Sequence, residues 1–446
     1  MSLTKATFSM IDKAFISAAD YGAVGDGVND DTLALQAAID AAGNWASVAY
    51  AKTLYIPSGT YKTTSQLYIR PYINIVGDSI GRTSIVPYIS SGPALNSDAT
   101  SGVAEAYQQR FSTFTIDGSN VTGTGYAWLF KTNKNSTFNQ IKFINFTGSA
   151  SPAVSIEGSC YLLSFNQCEW SVNQAHVQII DSGDTVNFST TIHFDRCLFD
   201  EITQNSTNAI YIRNASDIEF NRCILQAMRS INAILIESTN LRLTSHDHVI
   251  KNCWMEDNGN GQANSAGIYL KGQSGYPVNG VIIEGNRFHQ SIANMPQNQV
   301  KLEWTDKIYI QNNAEGFGGV FLKDDGNNTN TYVECKNVSA CEIKYPNVPV
   351  AWASFNGKGS VTRNSDFGIS SIVRNSAGNY TVTLSQAMDT SSIAATCNAE
   401  DGSIGVPLIA ATVPQTTTTF DIIIYNAAGA ATDGRNISLS VFQAPA

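Results

Sequence analysis

Through the middle of the chain, a series of short stretches alternates apolar and polar residues with a period of two. They are AWLF from Ala127, AVSI from Ala153, HVQI from His176, AIYI from Ala209, AILI from Ala233, GIYL from Gly267, QVKL from Gln299 and GVFL from Gly319. That period is the signature of a strand with one buried face. It turns Trp128 and Phe130, Val154 and Ile156, Val177 and Ile179, Ile210 and Ile212, Ile234 and Ile236, Ile268 and Leu270, Val300 and Leu302, and Val320 and Leu322 inward. A second motif is interleaved with the first: FNQIKF from Phe138, FNQCEW from Phe165, FDRCLF from Phe194, FNRCIL from Phe220, IKNCWM from Ile250, IEGNRF from Ile283 and IQNNAE from Ile310, at steps of 27, 29, 26, 30, 33 and 27 residues. Each period therefore predicts three short strands, with a two-residue turn between the last two. A unit this short cannot bury its own apolar face, so successive units must stack. The expected fold is all-β, a right-handed parallel β-helix in which like residues lie over like. Cys168, Cys197, Cys223 and Cys253 then form an interior ladder, and Asn166, Asn221, Asn252 and Asn286 fall in the turn region, where side-chain amides satisfy bending backbone.

A stack of coils exposes unpaired strand edges at both ends, so each end needs a cover. DYGAVGDGVNDDTLALQAAIDAAG, from Asp20 to Gly43, reads as a Gly-rich turn followed by a helix. Asp30 or Asp31 would be its N-cap, Leu33, Ala37, Ile39 and Ala41 its apolar surface, and Gly43 its stop. Asp26, Asp30 and Asp31 are read as turn and capping residues rather than as a metal or catalytic cluster. From about Pro346 the pattern changes to longer alternating strands separated by Gly, Asn and Asp turns, as in an antiparallel sandwich. The expected division is a neck at 1–19, an N-terminal cap at 20–60, the β-helix at 61–345 and a C-terminal β-sandwich at 346–446.

Composition narrows the function classes. The 446 residues carry 27 basic and 37 acidic side chains, a net charge of −10, which argues against nucleic acid or an anionic membrane surface as partner. No run of about 18 apolar residues occurs, so no membrane span is expected, and MSLTKATFSMIDKAF lacks the apolar core of a signal peptide. The eight cysteines, which also include Cys160, Cys335, Cys341 and Cys397, form no C-x-x-C pair and are expected as free, mostly buried thiols. His246, Asp247 and His248 lack a further ligand in view, so neither a metal nor a cofactor is expected.

YGAVGDGVNDDT, a helix, and then LYIPSGTY resemble the opening of pectate-lyase-like β-helices, particularly those of phage tailspikes and capsule depolymerases, and TKATFSMI is similar to the neck of such tail proteins. The resemblance covers most of residues 4–345. It implies a homotrimer in the virion tail, attached to other tail proteins through the N-terminus, that binds and cleaves a bacterial capsular polysaccharide or O-antigen. The last hundred residues resemble tail-fibre C-terminal domains, which implies a trimerisation role; a carbohydrate-binding module is the other reading.

Enzymes on this scaffold use an outward sheet face as a groove floor. Read outward, the first set of strands gives a column of Leu129, Ser155, Gln178, Tyr211, Leu235, Tyr269, Lys301 and Phe321, and a second of Lys131, Glu157, Ile180, Arg213, Glu237, Lys271, Glu303 and Lys323. Glu237 and Glu303 lie two coils apart, about 9.6 Å at the usual strand spacing. That is near the roughly 6.5–9.5 Å of inverting glycosidases. The same alternation of Arg213, Glu237, Lys271 and Glu303 would also stabilise any sheet. A second acidic set, Asp200 and Glu201 and then Glu256 and Asp257, with His289 one coil on, is placed in loops entering the face. Tyr211, Trp254 and Tyr269 are candidates to stack on sugars, and Arg213, Lys271 and His289 to bind substrate. The aspartates that polygalacturonase-like relatives place before these strands are absent, since Asn208, Asn232 and Ala266 hold those positions. Three functions stay open. One is hydrolysis by paired carboxyls. The second is a lyase using Arg213, Lys271 and Lys301 to neutralise a uronate. The third is a non-catalytic adhesin.

Overall fold

The computed structural model describes residues 15–43, 52–98, 106–147, 151–182, 188–202, 207–239, 244–259, 265–289, 296–315, 320–333, 341–342, 351–385, 393–400, 407–414 and 416–443. The expected neck lies mostly outside them, as does Cys335. The chain separates into two compact units, Met1–Glu342 and Ile343–Ala446.

The first unit is a parallel β-helix. Its first wall is an eleven-stranded sheet of the x-I-x-I strands, every pairing in it parallel, and the second and third walls form a sheet of twenty-two strands. The long strand Asn133–Ile144 runs through the corner between those two walls and joins them. The stacking register follows the sequence motif rung by rung: Phe138 on Phe165, Phe194, Phe220, Ile250, Ile283 and Ile310. The phenylalanine rings stack face on face, with centroids 4.4, 5.0 and 4.8 Å apart. These rings are essentially fully buried, and offset stacking adds about 0.5–1.5 kcal/mol per pair to the burial itself.

The interior ladder holds more than cysteine. The thiols of Cys168, Cys197, Cys223 and Cys253 donate to the carbonyls of Phe138, Phe165, Phe194 and Phe220, each one coil back. Asn286 and Asn313 then continue the column, donating to the carbonyls of Ile250 and Ile283 and accepting from the backbone N–H of Cys253 and Asn286. Asn286 is therefore an interior residue, not a turn residue. Its amide satisfies a donor and an acceptor that a thiol serves only in part, which is what makes a buried amide tolerable. The turn instead centres on one residue with positive φ in each coil: Gln140, Gln167, Arg196, Arg222, Asn252, Gly285 and Asn312. Cys160, Cys168, Cys197, Cys223 and Cys253 are free and buried, and Cys397 is free and half-buried.

Two further expectations are corrected. The helix spans Thr32–Ala42 and buries Leu35, Ala38, Ile39 and Ala42, while Leu33 is 84% exposed and Ala37 and Ala41 face outward with it. Positions 35, 38, 39 and 42 follow the helical spacing of one face. Asp31 holds the expected N-cap position and its backbone carbonyl accepts from the N–H of Leu35, but its carboxylate accepts from the N–H of Val24 and Gly25 rather than from the helix, while Asp30 accepts from the N–H of Thr32. The last coil slips by two residues: Val300 pairs with Leu322 and Lys301 with Lys323, so Phe321 falls level with the buried Gln299 instead of with Lys301 and is itself buried rather than outward.

The second unit is one antiparallel sheet of eight strands curled into a near-barrel, rather than a sandwich of two separate sheets. Strand Ile393–Glu400 pairs with Pro407–Pro414 and makes the two halves continuous. Both halves feed a single core of Phe355, Tyr380, Phe420, Ile422 and Ile437. Asp433 ties a turn to that core, accepting from Nε and Nη2 of Arg374, from the Tyr380 hydroxyl and from the N–H of Gly378. The Arg374 guanidinium brings its pKa down to about 2.

Candidate active site

The candidate residues fall on two different walls. On the first wall, register places Lys271 between Glu237 and Glu303, with Arg213 on the other side of Glu237. These side chains are already engaged with one another. Glu237 accepts from the Tyr211 hydroxyl at 2.5 Å and from Lys271 Nζ at 2.9 Å. Arg213 Nε donates to Asp181 at 2.8 Å. The Tyr269 hydroxyl donates to Glu303, and Lys301 pairs with Asp325 at 2.9 Å while lying 4.6 Å over the Tyr269 ring. Burial raises the Glu237 pKa, but the hydrogen bonds from Tyr211 and Lys271 outweigh it, and the carboxyl sits below its ordinary range. Burial and the neighbouring carboxylates push both tyrosines well up, so they remain donors at neutral pH. This face suits a fixed carboxylate at Glu237 and does not suit a protonated acid there.

On the third wall, Asp200, Gln226, Glu256 and His289 form one outward column, each in register with the next. These residues were expected in loops; Asp200 lies within strand Leu198–Ile202, Glu256 within Trp254–Glu256 and His289 within Arg287–His289. The strands extend this far because Phe199, Leu225, Met255 and Phe288 are buried between the outward positions. Gln226 Nε2 donates to Asp200 at 3.1 Å, and the Trp254 indole N–H donates to Glu256 at 2.9 Å. The Trp254 and His289 rings lie 5.6 Å apart, half-buried, and form an aromatic lip beside the carboxylate. Glu201 and Asp257 take left-handed backbone, as do Val172 and Ala227 of neighbouring coils. They therefore sit at the corner after this wall, where each coil bends through a left-handed residue.

The structure thus groups Asp200, Glu256, Trp254 and His289 on one wall, and Tyr211, Arg213, Glu237, Tyr269, Lys271 and Glu303 on another. His246 and Asp247 bond each other at the surface, whereas His248 points into the core with its Nε2 unpaired. Sequence reading missed a hollow of about 310 Å³ on the first wall, lined by Tyr126, Ser151, Pro152, Ser155, Glu157 and Gln178. The small Ser155 in an otherwise bulky outward column was the signal for it.

A parallel β-helix with an N-terminal helical segment is the class of fold these observations define. A profile of the family described as "Rhamnogalacturonase A/epimerase, pectate lyase-like" matches residues 15–160, about a third of the chain. A mannuronan C5-epimerase of Azotobacter vinelandii is 37% identical over 124 residues, a stretch that makes up 25% of this chain and 12% of the epimerase. Among solved structures, a tailspike protein of the E. coli bacteriophage HK620 aligns over 98% of this chain and 94% of its own, with 12% identity and a TM-score of 0.52. The surface adhesin PfbA of Streptococcus pneumoniae aligns over 83% of this chain and 97% of its own, with 15% identity and a TM-score of 0.51. At such identities the structural matches speak to fold alone. Asp200, Glu256 and the first-wall ladder all lie beyond the residues the family profile matches.

Proposed function

We propose that this chain is a phage tailspike depolymerase that binds a bacterial surface polysaccharide, capsule or O-antigen, and cleaves it by glycosidic hydrolysis. The observation that carries the reading is the Asp200–Gln226–Glu256–His289 column with Trp254 beside it. Two rungs separate the carboxyls, about 9.6 Å at the usual strand spacing, close to the roughly 6.5–9.5 Å that leaves room for a water in inverting hydrolysis. One carboxyl protonates the leaving glycosidic oxygen. The other takes a proton from water as its oxygen bonds to the anomeric carbon. The Trp254 ring offers a face for a sugar, and its N–H fixes the Glu256 carboxylate. The fold likeness to a tailspike supports placement in the virion as a homotrimer joined to other tail proteins through the N-terminus, with residues 346–446 serving trimerisation.

The test is to incubate the protein with a panel of purified bacterial polysaccharides and to follow polymer size and reducing ends. Shortened polymer with new reducing ends is the expected result; unchanged polymer after prolonged incubation would leave an adhesin. A lyase is the second reading, favoured by the partial match to a mannuronan C5-epimerase and by the Lys301, Tyr269 and Glu303 set on the first wall. It predicts products that carry the ultraviolet absorbance of an unsaturated uronate.

A further inference from the structure

We infer that the hollow on the first wall is a non-catalytic subsite for a single uncharged sugar unit; this rests on the polysaccharide-binding reading above and specifies one of its contacts. Further along this wall three outward positions are closed by pairing: Arg213 with Asp181, Glu237 with Lys271, Lys301 with Asp325. The wall opens where the outward column carries Ser155 and Gln178 on successive rungs. The resulting space, about 310 Å³, is at the lower end of the roughly 300–1,000 Å³ of ligand pockets, a size suited to one sugar rather than a chain.

Its polar groups are oriented before any ligand arrives. Gln178 Nε2 donates to Ser155 Oγ at 2.7 Å, and Ser155, itself 1% exposed, donates its one proton to Glu157 Oε1 at 2.7 Å. This leaves Glu157 Oε2 and Gln178 Oε1 as acceptors that no donor among the described residues reaches. A site made of a carboxylate and an amide oxygen selects a ligand rich in donors, such as a sugar presenting adjacent hydroxyls. The half-buried ring of Tyr126 offers an aromatic face against which the C–H face of a pyranose can lie, and Ser151, whose hydroxyl donates to the Thr124 carbonyl, and Pro152 complete the lining. Glu157 disfavours a uronate here; Lys131, its neighbour on the adjoining rung, does not line the hollow.

The location links the hollow to the proposed reaction. Ser151 and Pro152 belong to the segment that crosses from the third wall to the first, between Asn133–Ile144 and Val154–Glu157. Asp200 and Glu256 lie on the third wall close to that same edge, shortly before the chain crosses to the first wall again at Asn208–Arg213 and Ala266–Lys271. A polymer lying along this edge can hold one unit in the hollow while another meets the carboxyl column.

The test uses the full chain and saturation-transfer-difference NMR with free D-glucose, D-galactose, L-rhamnose, N-acetylglucosamine and glucuronate. At least one uncharged sugar should give a signal. Glu157→Gln, which swaps an acceptor oxygen for a donor, and Gln178→Ala should each weaken binding by roughly tenfold or more, as for loss of a charge-assisted or buried hydrogen bond, with circular dichroism and melting temperature unchanged. Asp200→Asn should keep the signal. No signal from any uncharged sugar, preference for glucuronate, or a signal insensitive to both substitutions would overturn the subsite. Binding that persists in a protein cleaving no polysaccharide would retain the subsite and remove the hydrolase.

Discussion

Two outward columns of the same helix carry carboxylates at the same two-rung spacing, yet they are built differently. On the first wall Glu237 and Glu303 are held by Tyr211, Lys271 and Tyr269, so their charge is spent on neighbouring strands. On the third wall Asp200 and Glu256 each accept one bond from a neutral donor, Gln226 or Trp254, with no cation paired to them among the described residues. Spacing alone does not distinguish a catalytic pair from a stabilising ladder. What differs is whether lone pairs and protons remain for a substrate.

The largest effect should come from the third wall. Glu256→Gln and Asp200→Asn should each lower the depolymerisation rate by about 10²–10⁴-fold, the range of a lost general acid or base, with the melting temperature unaltered. Glu237→Gln should leave the rate within a few-fold, and a loss as large as that of Glu256→Gln would erase the contrast between the walls.

Acid also acts on the interior. His176 and His248 are fully buried with Nε2 unpaired, and burial pulls both pKa values down to about 3. The unfolded chain binds these protons near pH 6.5, so the stability is complete above that value and is lost as pH falls from 6.5 toward 3. Between pH 6.5 and 4.5 each histidine should cost roughly 2 kcal/mol. His176→Gln should flatten part of that slope in denaturant titrations; an unchanged slope would show that the ring is not buried neutral.

Smaller effects sharpen the ladder. Glu237→Gln breaks the contact with Lys271 and should destabilise the fold by about 1 kcal/mol, discounted because Lys271 is 42% exposed. The depressed Glu237 pKa means this contribution is present above about pH 4.5 and fades as pH falls through the lower folded value. Tyr269→Phe removes one donor to Glu303 and should cost about 0.5–1.5 kcal/mol, read as a shift in the denaturant midpoint at constant slope.

The stacking of coils was legible because Phe138, Phe165, Phe194 and Phe220 recur with the cysteines, and a period-two pattern shows which side is buried. It does not show which outward side chains reach one another. Tyr211 meets Glu237 on the next rung and leaves that carboxylate occupied, a matter of side-chain reach that hydropathy does not carry. Asn286 was misplaced because a polar residue breaks the apolar pattern even when its amide is fully bonded inside. Asp200 and Glu256 were assigned to loops because their acidic neighbours, Glu201 and Asp257, mark the corner, while the strand continues through buried Phe199 and Met255 to reach it. The slip in the last coil, which brings Phe321 level with the buried Gln299, follows from a register that adjoining Val and Leu positions fit equally well in either alignment.

The most direct measurement is a crystal structure of the Asp200→Asn, Glu256→Gln double variant with an oligosaccharide of a polymer that the unaltered protein binds. Sugar density should run along the edge between the third and first walls, with one glycosidic bond between positions 200 and 256. Density lying across Tyr211, Glu237 and Tyr269, with the third wall bare, would contradict the assignment of chemistry to the third-wall column.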